Sequence, residues 1–229
     1  MLRRFVDTLL IPLLFVAVGA VVSLVVMHEA LCRSKALSVA TVEEAVADYV
    51  ISPYDEMLQS VGEEYGIDWL LLSAIASAES EFRFDAVSKA GAVGLMQIMP
   101  SVARNMGYTR EELFDARQCA EIASQLLIEN NKMLHLPSDF DKTERLHFIL
   151  ACYNAGYSRI ADARRLARYH DDDADTWSVV STYLMLLAEP EFAEHEVVLS
   201  GPFYGSNETI AYVSKVMHIY NIYRNGIFK

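Results

Sequence analysis

The stretch ASAESEFRFDAVSKAGAVGLMQIMP, residues 76–100, places a glutamate where its neighbours predict a buried helix face. Asp68 is suited to be an N-cap, and residues 69–80 contain neither Gly nor Pro, which predicts a helix. Glu79 falls at three- and four-residue spacings on one face of this helix, with Leu71, Leu72, Ile75 and Phe82. Glu81 points away from that face and is expected to be a surface acid.

Glu79 is therefore a candidate general acid. Burial disfavours its ionised form, and so does the negative end of the helix dipole, because Glu79 lies in the last turn. Both effects raise the pKa of the carboxyl group towards the range in which a general acid works. The alternative is a structural glutamate, buried and satisfied by an arginine or a backbone partner.

The rest of the chain predicts an all-α fold, because no segment sustains the two-residue alternation of a half-buried strand. Gly66 and Gly156 are expected to end helices. The segment between residues 177 and 204 has no clear helical pattern. The other helices are predicted at residues 41–49, 53–65, 100–107, 111–134, 143–155, 158–169 and 208–223, with Asn207 as the cap of the last.

The N-terminus predicts a membrane anchor. Residues 8–27 are uncharged, and at 1.5 Å per residue this length spans the hydrocarbon core of a bilayer. No clear cleavage site follows, so an uncleaved anchor is favoured over a signal peptide. We expect a transmembrane anchor at residues 1–35, a juxtamembrane helix and linker at residues 36–52, and a folded domain at residues 53–229.

Composition narrows the possible ligands. The formal net charge of −12 and the lack of a basic stripe argue against nucleic acid. The six histidines show no metal-binding spacing, and we expect neither a metal nor a cofactor. Three cysteines are too few for a disulfide framework, but Cys119 and Cys152 can either form a bridge or remain buried free thiols.

Four motifs in a fixed order suggest a family. They are ES at residues 79–80, AVSKAGAVGLMQIMP at 86–100, YNAG at 153–156 and ETIAYV at 208–213. Together they resemble the lytic transglycosylases with a soluble-transglycosylase, goose-lysozyme-like domain. The stretch SRIADARRLARY, followed by Trp177 and ETIAYV, is most similar to the catalytic domain of the membrane-bound lytic transglycosylase F group.

This resemblance implies a lysozyme-like helical domain over residues 53–229 that cleaves peptidoglycan between N-acetylmuramic acid and N-acetylglucosamine. Glu79 would be the single acid and base, and the product would carry a 1,6-anhydro end. The resemblance also implies a set of substrate-binding residues: Ser88, Met96, Gln97, Tyr153, Asn154 and Tyr212. Within this set, Tyr153 is expected to hold Glu79 through its hydroxyl group, whereas Glu208 is interpreted as a structural acid in the first turn of its helix.

Two alternatives remain open. A hydrolytic muramidase would need a second carboxylate, for which Asp85 is the nearest candidate. An inactive peptidoglycan-binding scaffold would be marked by loss of Glu79, which is present. The anchor predicts a periplasmic domain held at the cytoplasmic membrane of a bacterial envelope, and the negative charge hints at a recruiting protein partner whose identity the sequence leaves open.

Overall fold

A computed structural model of the chain describes residues 27–29 and 50–227. Its helices are α1 (Asp55–Tyr65), α2 (Trp69–Ser80), α3 (Pro100–Asn105), α4 (Ala116–Met133), α5 (Lys142–Ala155), α6 (Tyr157–Tyr169), α7 (Trp177–Leu186), α8 (Pro190–Ala193) and α9 (Ser206–Ile227). A 3₁₀ helix, Glu111–Phe114, precedes α4. Within these described ranges there is no strand, only isolated bridges at Val93, so the predicted all-α class is confirmed there.

Helix α2 has the bounds that the sequence predicts. The Asp68 side chain accepts a hydrogen bond from the backbone N–H of Leu70 at 3.0 Å, which satisfies a donor at the start of the helix. The helix ends at Ser80 because Glu81 adopts a left-handed conformation with φ 53°. Leu72 and Ile75 are fully buried, so the face that carries Glu79 is indeed a core face.

The helix predicted at residues 111–134 is interrupted in the structure. The Asp115 side chain accepts a hydrogen bond from the backbone N–H of Gln118 at 2.8 Å and caps α4. An aspartate that caps a new helix cannot also continue the previous one, so the residues before it form a separate 3₁₀ turn.

Other boundaries differ by a few residues. Helix α1 begins at Asp55 rather than residue 53, and α9 runs from Ser206 to Ile227 rather than over residues 208–223. The segment without a clear helical pattern contains two helices, α7 and α8. Trp177, which begins α7, packs edge-on against Phe148 of α5 with ring centroids 5.9 Å apart, so tertiary packing supports this helix.

Residues 50–226 form one compact unit, in which α1 packs on α2 and α4, α5 on α4 and α6, and α6 on α7. In the described part of the chain, no helix has the length and apolarity needed to cross a membrane. The predicted anchor and linker, residues 1–35 and 36–52, lie outside the described residues except for 27–29 and 50–52.

Candidate active site

Glu79 lies in the last turn of α2 and lines a cavity of about 340 Å³. The wall brings together polar side chains from the loop after α2, from α5 and from α9. These polar residues are Ser88, Gln97, Tyr153, Asn154 and Glu208, and the apolar part of the wall includes Ile98, Met99, Val102 and Leu126.

Burial raises the pKa of Glu79 to about 7. The nearby hydroxyl group of Tyr212 and the positive charge of Lys215 oppose this rise, whereas the negative charge of Glu208 adds to it. The carboxyl group is thus poised to be protonated or ionised near neutral pH, as an acid that later acts as a base requires.

Tyr212 reaches Glu79 from inside the core. Its side chain is only 9% exposed and does not line the cavity. Its hydroxyl group has no hydrogen bond of good geometry in the described part of the chain, but it lies close enough to Glu79 to lower the pKa of the carboxyl. In turn, burial and then the charge of Glu79 raise the pKa of Tyr212 well above its usual value, so Tyr212 remains a proton donor.

The loop between α2 and α3 folds back on itself beside Glu79. The backbone N–H of Gly94 donates to the carbonyl oxygen of Ala86 at 2.8 Å, and Val93 and Ile98 exchange two hydrogen bonds of 3.0 Å. Gly94 has a φ of +82°, and a Cβ atom there would lie 1.9 Å from the carbonyl oxygen of Leu113. Only glycine therefore fits at this position.

Gln97 belongs both to the cavity wall and to the loop. Its amide nitrogen donates to the carbonyl oxygens of Gly94 and Ala86 at 2.9 and 3.1 Å, although its own backbone is left-handed with φ 48°. These bonds fix the side chain and commit its amide donors to the loop. Its carbonyl oxygen remains the group with which Gln97 can accept a hydrogen bond from a ligand.

Two long-range hydrogen bonds hold the loop against the helices. The Ser80 hydroxyl donates to the carbonyl oxygen of Leu95 at 2.7 Å, and the Tyr153 hydroxyl donates to that of Met96 at 2.8 Å. The expectation that the Tyr153 hydroxyl holds Glu79 is therefore wrong, because its proton is used by the loop. The tyrosine hydroxyl that lowers the pKa of Glu79 is that of Tyr212.

Met96 is also placed differently from the expectation. Its side chain is fully buried and does not belong to the cavity wall, so it packs in the core instead of facing a ligand. Its backbone N–H donates to the Sγ atom of Cys119 at 3.4 Å. Met96 thus contributes backbone atoms that fix the loop.

Ser88 and Asn154 lie in the cavity wall, as expected for residues that contact a ligand. The Ser88 hydroxyl accepts a hydrogen bond from the backbone N–H of Ala92 at 3.0 Å, which leaves its own proton to donate. The Asn154 Oδ1 atom accepts from the Thr209 hydroxyl at 2.8 Å, which ties α5 to α9 and orients the amide donors of Asn154.

Glu208 and Lys215 were missed as site residues by sequence reasoning. Glu208 lines the cavity, and Lys215 donates to the carbonyl oxygen of Ala78 at 2.7 Å. A signal was present, because Glu208, Tyr212 and Lys215 are spaced four and three residues apart and so share one face of α9. Asp85 is exposed and is not a wall residue, so it does not supply the second carboxylate.

Of the two alternatives for the cysteines, the structure has buried free thiols at Cys119 and Cys152. Burial raises the pKa of Cys119 to about 11 and that of Cys152 to about 12. Both thiols therefore stay protonated at neutral pH and act as small core residues.

Comparison with known protein families assigns the chain to a class of enzyme domain. Residues 56–176, more than half of the chain, match the Transglycosylase SLT domain. The chain belongs to this family, which confirms the resemblance carried by the motifs.

Relatives narrow the class further. The chain is 32% identical over 171 residues to a membrane-bound lytic murein transglycosylase F of Marinobacter nauticus, a match that covers 74% of this chain and 32% of that protein. It is 35% identical over 143 residues to a membrane-bound lytic murein transglycosylase F 1 of Alkalilimnicola ehrlichii, covering 61% of this chain and 27% of that protein. The chain thus spans about a third of the length of the curated relatives it matches.

Among solved structures, the chain is similar to an inactive mutant of the lytic transglycosylase Slt from Pseudomonas aeruginosa. The TM-score is 0.48 and the sequence identity is 22%, and the match covers 77% of this chain and 26% of that one.

Proposed function

We propose that this chain is a peptidoglycan lytic transglycosylase that cleaves the β-1,4 bond between N-acetylmuramic acid and N-acetylglucosamine. The observation that carries the proposal is the Glu79 carboxyl, which has a pKa raised to about 7 by burial and lines a cavity of polar side chains. Membership of the SLT family supports the same reaction.

The reaction needs one residue to act twice. Protonated Glu79 donates its proton to the glycosidic oxygen as the bond to C1 of the muramic acid breaks. The N-acetyl oxygen of the same sugar stabilises the anomeric carbon in place of a protein nucleophile. Ionised Glu79 then takes the proton from the C6 hydroxyl, whose oxygen bonds to C1 and forms the 1,6-anhydro ring, so no water is consumed.

The residues around Glu79 suit these two states. The Tyr212 hydroxyl stabilises the ionised carboxylate, and Lys215 adds a positive charge that favours the same state. The Ser88 hydroxyl, the Gln97 carbonyl oxygen and the Asn154 amide supply donors and acceptors for sugar hydroxyl and acetamido groups.

Hydrolysis of the same glycosidic bond is the second candidate function, because a second carboxylate, that of Glu208, lies in the wall of the same cavity. A second carboxylate about 6.5–9.5 Å from the acid can activate a water for inversion, and one at about 5–5.5 Å can serve as a nucleophile. Glu208 lines the same cavity as Glu79, at the exposed start of α9. We assign Glu208 an electrostatic role, because its charge raises the pKa of Glu79 and so favours the acid form.

The test is mass spectrometry of muropeptides released from purified sacculi by the wild-type protein and by Glu79→Gln and Glu208→Gln. We expect products one water lighter than reducing-end species, absent with Glu79→Gln and retained with Glu208→Gln. Reducing-end products that disappear with Glu208→Gln would instead establish a hydrolase. Binding to sacculi without products from the wild type would favour the inactive scaffold.

We further propose that the protein works in the bacterial envelope, with residues 1–35 anchoring it in the cytoplasmic membrane and residues 53–229 in the periplasm. The uncharged run at residues 8–27 supports this, and the curated relatives are named membrane-bound. Fractionation should recover the protein in the membrane fraction, resistant to high salt and released by detergent. Recovery as a shorter form in the periplasmic fraction would contradict the anchor.

A further inference from the structure

A second cavity, of about 210 Å³, is lined by three arginines of α6 and by the end of α4. We propose that this arginine cavity, formed by Arg164, Arg165 and Arg168 with Met133 and Tyr157, binds a carboxylate of the peptide attached to the glycan substrate. The inference rests on the proposed function, and it adds a preference for strands that carry stem peptides.

The guanidinium groups are held in place mainly by neutral acceptors. Arg164 is 7% exposed, and it donates to the carbonyl oxygens of Ala174 and Leu134 at 3.0 and 3.1 Å. Arg165 donates to the carbonyl oxygen of Val197 at 2.8 Å. These bonds fix the orientation of the two guanidinium groups, so this part of the cavity wall is preorganised.

Two carboxylates neutralise part of the charge. Asp162 pairs with Arg165, and Asp175 pairs with Arg164. Arg168 makes only a longer contact, with a guanidinium nitrogen 3.8 Å from the Oδ1 atom of Asp175. The Arg168 side chain is 55% exposed. One positive charge is therefore unbalanced, and Arg168 is the arginine best able to turn towards a ligand.

The positive charge of the arginine cavity contrasts with the negative net charge of the whole chain. A net charge of −12 disfavours the approach of an anionic ligand in general, so a cluster of arginines marks a local exception. A carboxylate suits a cavity in which several guanidinium N–H groups remain without acceptors, because arginine binds carboxylates through two parallel hydrogen bonds.

The arginine cavity and the candidate active site share structural elements. Leu126 lines the active-site cavity and Met133 lines the arginine cavity, and these residues lie seven positions apart on the same face of α4, about 10 Å along its axis. Asn154 lines the active-site cavity, and Tyr157, three positions later in the chain, lines the arginine cavity. A substrate branch that leaves the glycan near Glu79 would therefore reach the arginines along α6, on which Arg168 lies eleven positions, about 16 Å, beyond Tyr157.

The stem peptides of peptidoglycan are the branches that leave the glycan strand. They are attached through an amide to the lactyl carboxyl group of muramic acid, so in peptide-bearing strands the free carboxylates lie on the peptide and not on the sugars.

The experiment compares two substrates: glycan strands that keep their stem peptides, and the same strands stripped with an amidase, which removes the peptide carboxylates and leaves only the lactyl carboxylate on the sugar ring. We expect Arg168→Gln to lower kcat/KM for anhydro-product formation about tenfold on peptide-bearing strands and to leave the rate on stripped strands unchanged. Arg168→Lys should give a smaller loss than Arg168→Gln, because it keeps the charge but not the two parallel N–H donors. Lys132→Gln is the matched control, since it removes one positive charge from an exposed position next to Met133 that does not line the cavity.

Several outcomes would overturn the proposal: equal losses from Arg168→Gln and Lys132→Gln, equal losses on both substrates, or a wild-type protein with no preference for peptide-bearing strands. A binding assay in the Glu79→Gln background, by co-sedimentation with the same strands, separates this proposal from the proposed reaction. If the wild type forms no product, a loss of binding to peptide-bearing strands caused by Arg168→Gln would still support the arginine cavity, and unchanged binding would reject it.

Discussion

The Nζ atom of Lys215 donates a hydrogen bond to the backbone carbonyl oxygen of Ala78 at 2.7 Å, across 137 positions of sequence. Ala78 directly precedes Glu79, and its carbonyl belongs to the C-terminal end of α2, where helix carbonyls lack partners within the helix. A lysine at this end compensates the helix dipole and places a positive charge beside Glu79. Helix α9 thus helps to set the acidity of a residue on α2.

We expect Lys215→Gln to raise the pKa of Glu79, because the variant removes the positive charge that stabilises the ionised carboxylate. Since the first step needs protonated Glu79, the alkaline limb of the kcat/KM profile should move to higher pH. Besides Lys215, the groups that change the pKa of Glu79 are Tyr212, which lowers it, and Glu208, which raises it; the charge of Glu79 in turn raises the pKa values of Tyr153 and Cys119. Lys215→Arg should keep the wild-type limb, and a uniform loss of rate at every pH would show a purely structural role.

We expect Glu208→Gln to shift the same limb in the opposite direction. The negative charge of Glu208 raises the pKa of Glu79, so its removal lowers that pKa and the acid form is lost at lower pH. The measurement is the kcat/KM profile of this variant beside that of Tyr212→Phe, which removes the nearby hydroxyl group that lowers the pKa of Glu79 and should move the alkaline limb to higher pH. Parallel shifts of the two variants would contradict the assigned roles.

Glu79→Gln should stabilise the fold at neutral pH. The pKa of Glu79 rises from 4.5 to about 7 on folding, so between these values the folded state binds a proton that the unfolded state has lost. Stability therefore falls as pH rises through this window, by about 3 kcal/mol in all, and stays low above it. In urea unfolding, the free energy of unfolding of the variant should exceed that of the wild type by up to this amount at pH 8, and the two should not differ near pH 4. Equal stability at both pH values would show that burying the ionised carboxylate of Glu79 costs no stability.

Gly94→Ala should destabilise the protein by about 3 kcal/mol or more, because the new Cβ atom would lie 1.9 Å from the carbonyl oxygen of Leu113. Gly91→Ala is the control: Gly91 also has a positive φ, +91°, but its Cβ position has no atom within 4 Å. The strain at Gly91 alone should cost about 1 kcal/mol. Chemical denaturation measures both, and similar losses would show that φ, rather than the contact with Leu113, determines the cost.

The local features of the site could be predicted because they depend on residues a few positions apart. Asp68 caps α2 through its bond to Leu70, and the spacing of Leu72, Ile75 and Glu79 puts the acid on the buried face. The same reasoning went wrong at Asp115, where a capping side chain inside a periodic segment divides the expected helix.

The partners of Glu79 could not be predicted in full, because they come from distant segments. The Tyr153 hydroxyl binds Met96, 57 positions away, and this contact depends on how the loop after α2 folds over α5. The burial of Met96 and the proximity of Tyr212 follow from the same packing.

By itself, the sequence determined the helical class, the bounds of α2, the candidate acid Glu79 and the family, because caps, helical periodicity and motif residues act over short distances along the chain. Only the tertiary structure decided which side chains surround that acid. Hydrogen bonds from Ser80 to Leu95, from Tyr153 to Met96 and from Lys215 to Ala78 join residues 15, 57 and 137 positions apart. Such contacts form only when whole helices pack, so they and the shifted pKa of Glu79 are properties of the fold.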